Sequence, residues 1–144
     1  MAMDKASRVM SGTYGELWYD GELVAEVYKF QAKVTLNKED ISMCGVIWTD
    51  SKVKNVSGKG SMGLYKVNSR MAQKLGDALL SGKDPRGTII SKLNDPDSYG
   101  AERVAIQDVS FDDLTLADWE AAVIGKVECP FTFRGYKFLD MVSA

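Results

Sequence analysis

Along most of this chain apolar and polar residues alternate with a period of two, the pattern of strands with one buried face. The first such region is Thr13–Leu36. Asp20-Gly21 separates two β-rich runs there, and Asp-Gly is a strong hairpin signal because both turn residues take positive φ. A two-residue loop pairs Tyr19 with Glu22, Trp18 with Leu23 and Leu17 with Val24. The second arm, Glu22–Leu36, would span roughly 50 Å at ~3.3 Å per residue, whereas ordinary strands hold about 5–6 residues. From Tyr28 onward, Phe30, Ala32, Val34 and Leu36 share its face, and Lys29, Gln31, Lys33 and Thr35 take the other. Leu23, Ala25 and Val27 run in the opposite phase, so a bulge or a doubly buried position is expected at Val27-Tyr28. A small domain does not cover so long a ribbon, and part of it is expected to meet another chain.

The pattern then changes repeatedly. Asn37–Val56 has charged, turn-like flanks around an apolar patch of Ile41, Met43, Cys44, Val46, Ile47 and Trp48. It reads either as one or two short strands or as a long loop presenting apolar side chains to a partner. Ser57–Val67 reads as a strand made pliable by Gly58, Gly60 and Gly63. Asn68–Ser81 has the helical period: Met71, Leu75, Ala78 and Leu79 form one stripe, Asn68 or Ser69 caps the start, and Gly82 ends it before Pro85. A single helix among many strands is expected to plug one side of a curved sheet. Gly87–Leu93 and Glu102–Val109 form a second hairpin, joined by the turn formers Asn94–Gly100. Asp113–Ile124 fits a short helix or an extended linker equally well, with Trp119 expected as an anchor in either case. Lys126–Leu139 closes the chain as a strand with Val127, Cys129, Phe131 and Phe133 on one face. Pro130 places it at an edge or a bulge. Gly135 allows a phase change, after which Tyr136 and Phe138 are the apolar pair.

Composition narrows the chemistry. The chain has 144 residues, enough for one domain with a real core. Its net charge is −2, from 18 basic and 20 acidic residues, which disfavours nucleic-acid binding. No apolar run approaches the ~20 residues of a membrane span, and the N-terminus lacks an apolar signal core, so synthesis in the cytoplasm is expected. Histidine is absent and Cys44 and Cys129 form no CxxC pattern, which argues against a structural zinc site and removes every His-based triad. Gly58-Lys59 lacks the spacing of a phosphate loop. Asp95-x-Asp97 begins like a calcium loop, but its twelfth position is Ile106, so a turn is the better reading. No constellation for catalysis emerges, and neither an enzyme nor a cofactor is expected.

The parts describe one domain over residues 1–144. It is mainly β, an antiparallel β-sandwich or partly open barrel with one packed α-helix. Long strands leave edges that further subunits complete. The run SGTYGELWYDGELVAEVYKFQAKV, the later SGKGSMGLYKVNSRM and the ending LADWEAAVIGKVECPFTFRGYKFLD resemble the core tail proteins of PBSX-type defective prophages. Those proteins belong with the tail tubes of contractile phages and phage-tail-like bacteriocins.

The resemblance covers about Asp4 to Asp140 and implies a tail-tube fold. It implies hexameric rings stacked into a hollow conduit inside a contractile sheath, with partners in the sheath, the baseplate or tube initiator and the tape-measure protein. DNA is expected to pass without specific binding, and the product to reside in a virion or particle tail, with no membrane partner. The N-terminal arm, Met1–Gly12, and the loop Asn37–Val56 are expected to clip ring to ring. The candidate contacts are Val9, Met10, Tyr14, Lys38, Glu39, Asp40, Ile41, Met43, Trp48 and Lys52. The candidate channel-lining positions on the hairpin are Glu22, Glu26, Lys29, Gln31 and Lys33. A small-ligand or carbohydrate-binding β-barrel, using Trp18, Trp48 and Trp119 for stacking, is the alternative. A hydrolase with paired carboxylates finds no support in the spacing.

Overall fold

The computed structural model describes residues 6–67 and 69–142. The start of the N-terminal arm, Asn68 as a helix cap and the Met71 side chain in the helical stripe lie outside the described residues. Two short 3₁₀ turns, Ala6–Arg8 and Gly12–Tyr14, precede β1 (Gly15–Tyr19), β2 (Glu22–Leu23), β3 (Val27–Ile41) and β4 (Asp50–Tyr65). Helix α1 (Arg70–Leu80) follows, then β5 (Gly87–Leu93), β6 (Glu102–Phe111), β7 (Lys126–Phe133) and β8 (Gly135–Asp140).

The strands run in the order β2-β1-β5-β6-β7-β4-β3, with β8 also on β6, and every pairing is antiparallel. β6 belongs to both leaves. Its residues Arg103–Gln107 pair with β8, while Ser110 and Phe111 pair with β7. Between these stretches Asp108 takes φ 56, and β7 and β8 break opposite it at Arg134. Both strands therefore turn one corner together and fold the sheet into a partly open barrel. The core lies between the leaves: Leu17, Tyr19, Val24, Ile89, Ile106 and Val109 from one, Met62, Leu64, Cys129, Phe131 and Phe133 from the other.

Ladder register explains two of the glycines. On the inner face Ala32, Gly60 and Phe131 lie in one row, and Val34, Gly58 and Phe133 in the next. A Cβ on Gly60 would fall 2.6 Å from the Phe131 ring and one on Gly58 2.5 Å from the Phe133 ring. These positions are empty so that the rings can lie across β4.

The Asp20-Gly21 turn forms as its chemistry requires, with φ 49 and 84 and the pairs Trp18↔Leu23 and Tyr19↔Glu22. Asp20 is tied to β5, its Oδ1 accepting from Thr88 N at 2.9 Å. The long second arm does not pair with β1 throughout. β2 ends at Leu23, and β3 leaves to pair with β4, with the expected irregularity between Val27 and Lys29. The expected long loop Asn37–Val56 is also corrected. Strand continues to Ile41 and resumes at Asp50, which leaves residues 42–49 as the connection. The charged run Lys38-Glu39-Asp40 reads as a turn in sequence, yet each residue finds a ladder partner, and Glu39 sits opposite Lys52.

The helix packs Leu75 into the core, and Gly82 ends it at φ 78. It caps one end of the barrel, where Lys74 lies 4.7 Å over the Tyr19 ring and 3.7 Å from Asp20. Leu79 is exposed rather than part of the buried stripe, and Ser69 makes no side-chain cap. Residues 112–125 form an extended connection, not a helix. Trp119 is not the expected anchor among the described residues: it is 86% exposed.

Candidate assembly surfaces

Among the described residues no further strand supports the distal half of the β3–β4 hairpin. β4 meets β7 only from Gly58 onward, so the ladder from Thr35↔Ser57 to Ile41↔Asp50 has one layer and two strands. It projects roughly 20 Å at ~3.4 Å per residue. Many of its side chains are apolar and exposed. Leu36, Ile41, Met43, Val46, Val53 and Val56 are exposed, Ile47 is fully exposed and Trp48 is 85% exposed. A lone two-stranded ribbon is marginal in water, and exposed apolar patches of this kind mark contact sites. The ribbon holds its shape through Asn37 Nδ2 donating to Asn55 Oδ1 at 2.7 Å and through the turn at Gly45, φ 80.

The edges form a second surface. Among the described residues β3 pairs with β4 alone, so along Val27–Ile41 they supply no strand to the other side of its backbone. Beside it opens an apolar groove of about 850 Å³, where Phe30, Val34, Val104, Phe133, Tyr136 and Phe138 face one another. Tyr136 and Phe138 are exposed and pack edge to face at 5.7 Å. At the other border of the same leaf β7 has no β6 partner before Phe131. Pro130 occupies that border, which agrees with an edge position.

The N-terminal segment is held by the β5–β6 connection. Asp95, buried, accepts from Ser11 N and Asp97 N, each at 2.9 Å. Arg8 donates to the Asp97 carbonyl at 2.9 Å and lies 4.9 Å over the Tyr99 ring. Val9 and Tyr14 stay exposed and Met10 is half-buried.

The outward face of β3-β4-β7 is polar. Lys29, Gln31 and Lys33 share it with Lys59, Ser61, Glu128 and Thr132. Lys29 Nζ lies 2.5 Å from Glu128 Oε1, a hydrogen bond that raises the lysine pKa. Inside, burial raises the Cys129 thiol, with Glu128 adding to the effect. Burial also pushes Tyr19 up to about 12, helped by Asp20. Among the described residues no cluster of Cys, Asp and Glu is placed to hold a metal ion, and no helix is long and apolar enough to cross a membrane.

The expected contact residues thus fall in two places. Lys38, Glu39, Asp40, Ile41, Met43, Trp48 and Lys52 lie on the hairpin's distal half, and Val9, Met10 and Tyr14 lie by the β5–β6 connection. Of the channel candidates, Lys29, Gln31 and Lys33 share one face. Glu22 is on β2 in the other leaf, and Glu26 sits in the link to β3, its carbonyl accepting from Tyr65 N at 3.0 Å. The groove residues Val34, Val104, Tyr136 and Phe138 were not expected as surface. Their signal was a surplus of apolar strand positions over what one core accommodates.

Known proteins share the sequence and the fold of this chain. A phage-like element PBSX protein, XkdM, from Bacillus subtilis (strain 168) is 34% identical over 142 residues, covering 96% of each chain. In fold the chain is similar to a component of the sheath-tube complex of an extracellular contractile injection system, PVC, in its extended state. That likeness has a TM-score of 0.70 at 10% identity, covering 96% of this chain and 100% of the other. It is also similar to a component of the anti-feeding prophage tube-terminating cap, with a TM-score of 0.73 at 7% identity, covering 98% and 95%. The model of the phage tail tube protein family matches residues 2–140, and the chain belongs to that family.

Proposed function

We propose that this chain is the structural subunit of a contractile tail's tube, and that its copies polymerise as stacked hexameric rings around a hollow channel for DNA or ions. The observation that carries this is the distal β3–β4 ribbon, a two-stranded projection rich in apolar side chains that the described residues leave exposed. A second copy supplies the missing surface.

Ring closure follows from the unpaired edges. The free side of β3 on one copy and the β7 border on the next are suited to join leaves edge to edge. Such a contact is heterologous, and repeated rotation closes it into a ring. The outward polar face of β3-β4-β7 then becomes the channel wall, with Lys29, Gln31 and Lys33 on it, while Glu22 and Glu26 belong elsewhere. The N-terminal segment and the hairpin tip make the contacts between rings. A sheath, a baseplate or initiator and a tape-measure protein complete the particle. The role is structural, and catalysis plays no part in it. A stacking site for carbohydrate finds less support, because Trp18, Trp48 and Trp119 lie on separate elements and none lines the groove.

Electron microscopy of concentrated protein, with and without a baseplate initiator, tests this. Rings or tubes are expected, and a persistent monomer in both would refute it. Ile41 and Asp50 face each other across the ladder, so an Asn-Gly turn is able to replace residues 42–49. That variant is expected to fold and not to stack.

A further inference from the structure

We propose that the outward face of β3-β4-β7 binds the phosphate backbone of nucleic acid through non-specific electrostatic contacts. The chain as a whole carries a net charge of −2, but this face is basic. On these three strands Lys29, Lys33, Lys59 and Lys126 project from it with one carboxylate, Glu128, while Asp112, its backbone N–H donating to the Pro130 carbonyl at 2.9 Å, borders it just beyond β6. Lys126 lies 5.3 Å over the Tyr28 ring and 5.8 Å over Tyr65, which puts it in the same cluster as Lys29 and Glu128.

The telling pair is Lys33 and Lys59. They are direct ladder partners, and like charges directly opposite destabilise a sheet. Their same-face neighbours along and across the strands are Gln31, Thr35, Ser57, Ser61 and Thr132, none of them acidic. Two other lysines of the same leaf do face carboxylates, Lys29 with Glu128 and Lys52 opposite Glu39. Stability alone does not account for an unneutralised pair at the row where β7 ends and the two-stranded ribbon begins. A polyanion does.

Chemistry favours nucleic acid over an acidic protein. Protein interfaces are depleted in lysine and built around apolar centres, and the middle row of this face, Gln31, Ser61 and Pro130, offers only the proline ring as apolar surface. Lysines meeting phosphates exchange for counterions without reading bases, and such binding permits sliding. If this face is the channel wall, each ring presents a basic band that guides a passing strand without gripping it. That meaning rests on the tube reading. The binding itself belongs to the single chain.

The test uses the unassembled full chain and a fluorescein-labelled DNA duplex, with anisotropy followed from low to physiological salt. Three to four phosphate contacts predict a log–log salt slope of about −3 to −4. The pair K33E/K59E is expected to weaken binding by at least ~10-fold and to flatten the slope by about 2. K33Q/K59Q is expected to do the same in direction, and serves if the charge reversal disturbs folding by circular dichroism. K83E, on the connection after α1, is expected to change neither. Absence of salt-dependent binding, an equal loss in K83E or equal competition by polyglutamate overturns the proposal. Because no polymer is needed, its failure leaves the tube reading standing. A failure of tubes to form does not touch the binding.

Discussion

Replacing Trp48 by alanine separates assembly from folding. Trp48 is 85% exposed at the hairpin tip, beside the fully exposed Ile47, so its truncation removes no packing within the chain. Surface substitutions of this kind change folding stability by no more than about 0.5 kcal/mol. In the polymer the same side chain is expected at the centre of a contact. Aromatic anchors there typically contribute roughly 2–4 kcal/mol on truncation. At 1.4 kcal/mol per tenfold, that raises the critical concentration for tube growth by roughly 30- to 700-fold. The assay is sedimentation of the polymer across a concentration series, paired with thermal denaturation of the unassembled protein. The expected outcome is an unchanged melting midpoint with the critical concentration displaced by that factor. A melting midpoint several degrees lower would mean that Trp48 packs within its own chain. An unchanged critical concentration would mean that the tip is not in the contact. Either result refutes the reasoning.

Two further outcomes concern the body of the protein. Gly60→Ala places a methyl 2.3 Å from the Gln31 carbonyl oxygen and 2.6 Å from the Phe131 ring, and is expected to cost roughly 1–3 kcal/mol in urea unfolding. Gly12→Ala, with open space around it, is the control. Tyr19 keeps its proton up to about pH 12 when folded, against about 10 when unfolded. Its contribution is therefore complete below pH 10 and is lost as pH rises toward 12, by up to roughly 2–3 kcal/mol. Tyr19→Phe is expected to flatten that alkaline decline in a melting series, and an identical decline in both proteins would refute the assignment.

Features that depend on near neighbours were legible in the residues alone. Asp20-Gly21 specified its turn because only residues tolerant of positive φ fit there. The slip at Val27 was visible because a change of alternating phase is a local property, and so were the second hairpin and the inward face of β7. The family, too, was legible from strings of residues. Which strand pairs with which was not. Glu22–Leu36 looks like one arm, and only the barrel's closure sends its later part to β4.

The extent of the hairpin was hidden for a related reason. Lys38-Glu39-Asp40 has the composition of a turn, and its strand geometry comes from partners across the ladder. Trp119 and Leu79 read as buried because their types prefer burial, yet burial is conferred by distant surface, and none reaches them here. Charge behaves the same way. A net charge of −2 is a sum over the chain, and it conceals a basic face that exists only once β3, β4 and β7 lie side by side. Local conformational preference is written in adjacent residues. Contact between distant residues is decided when the chain closes on itself.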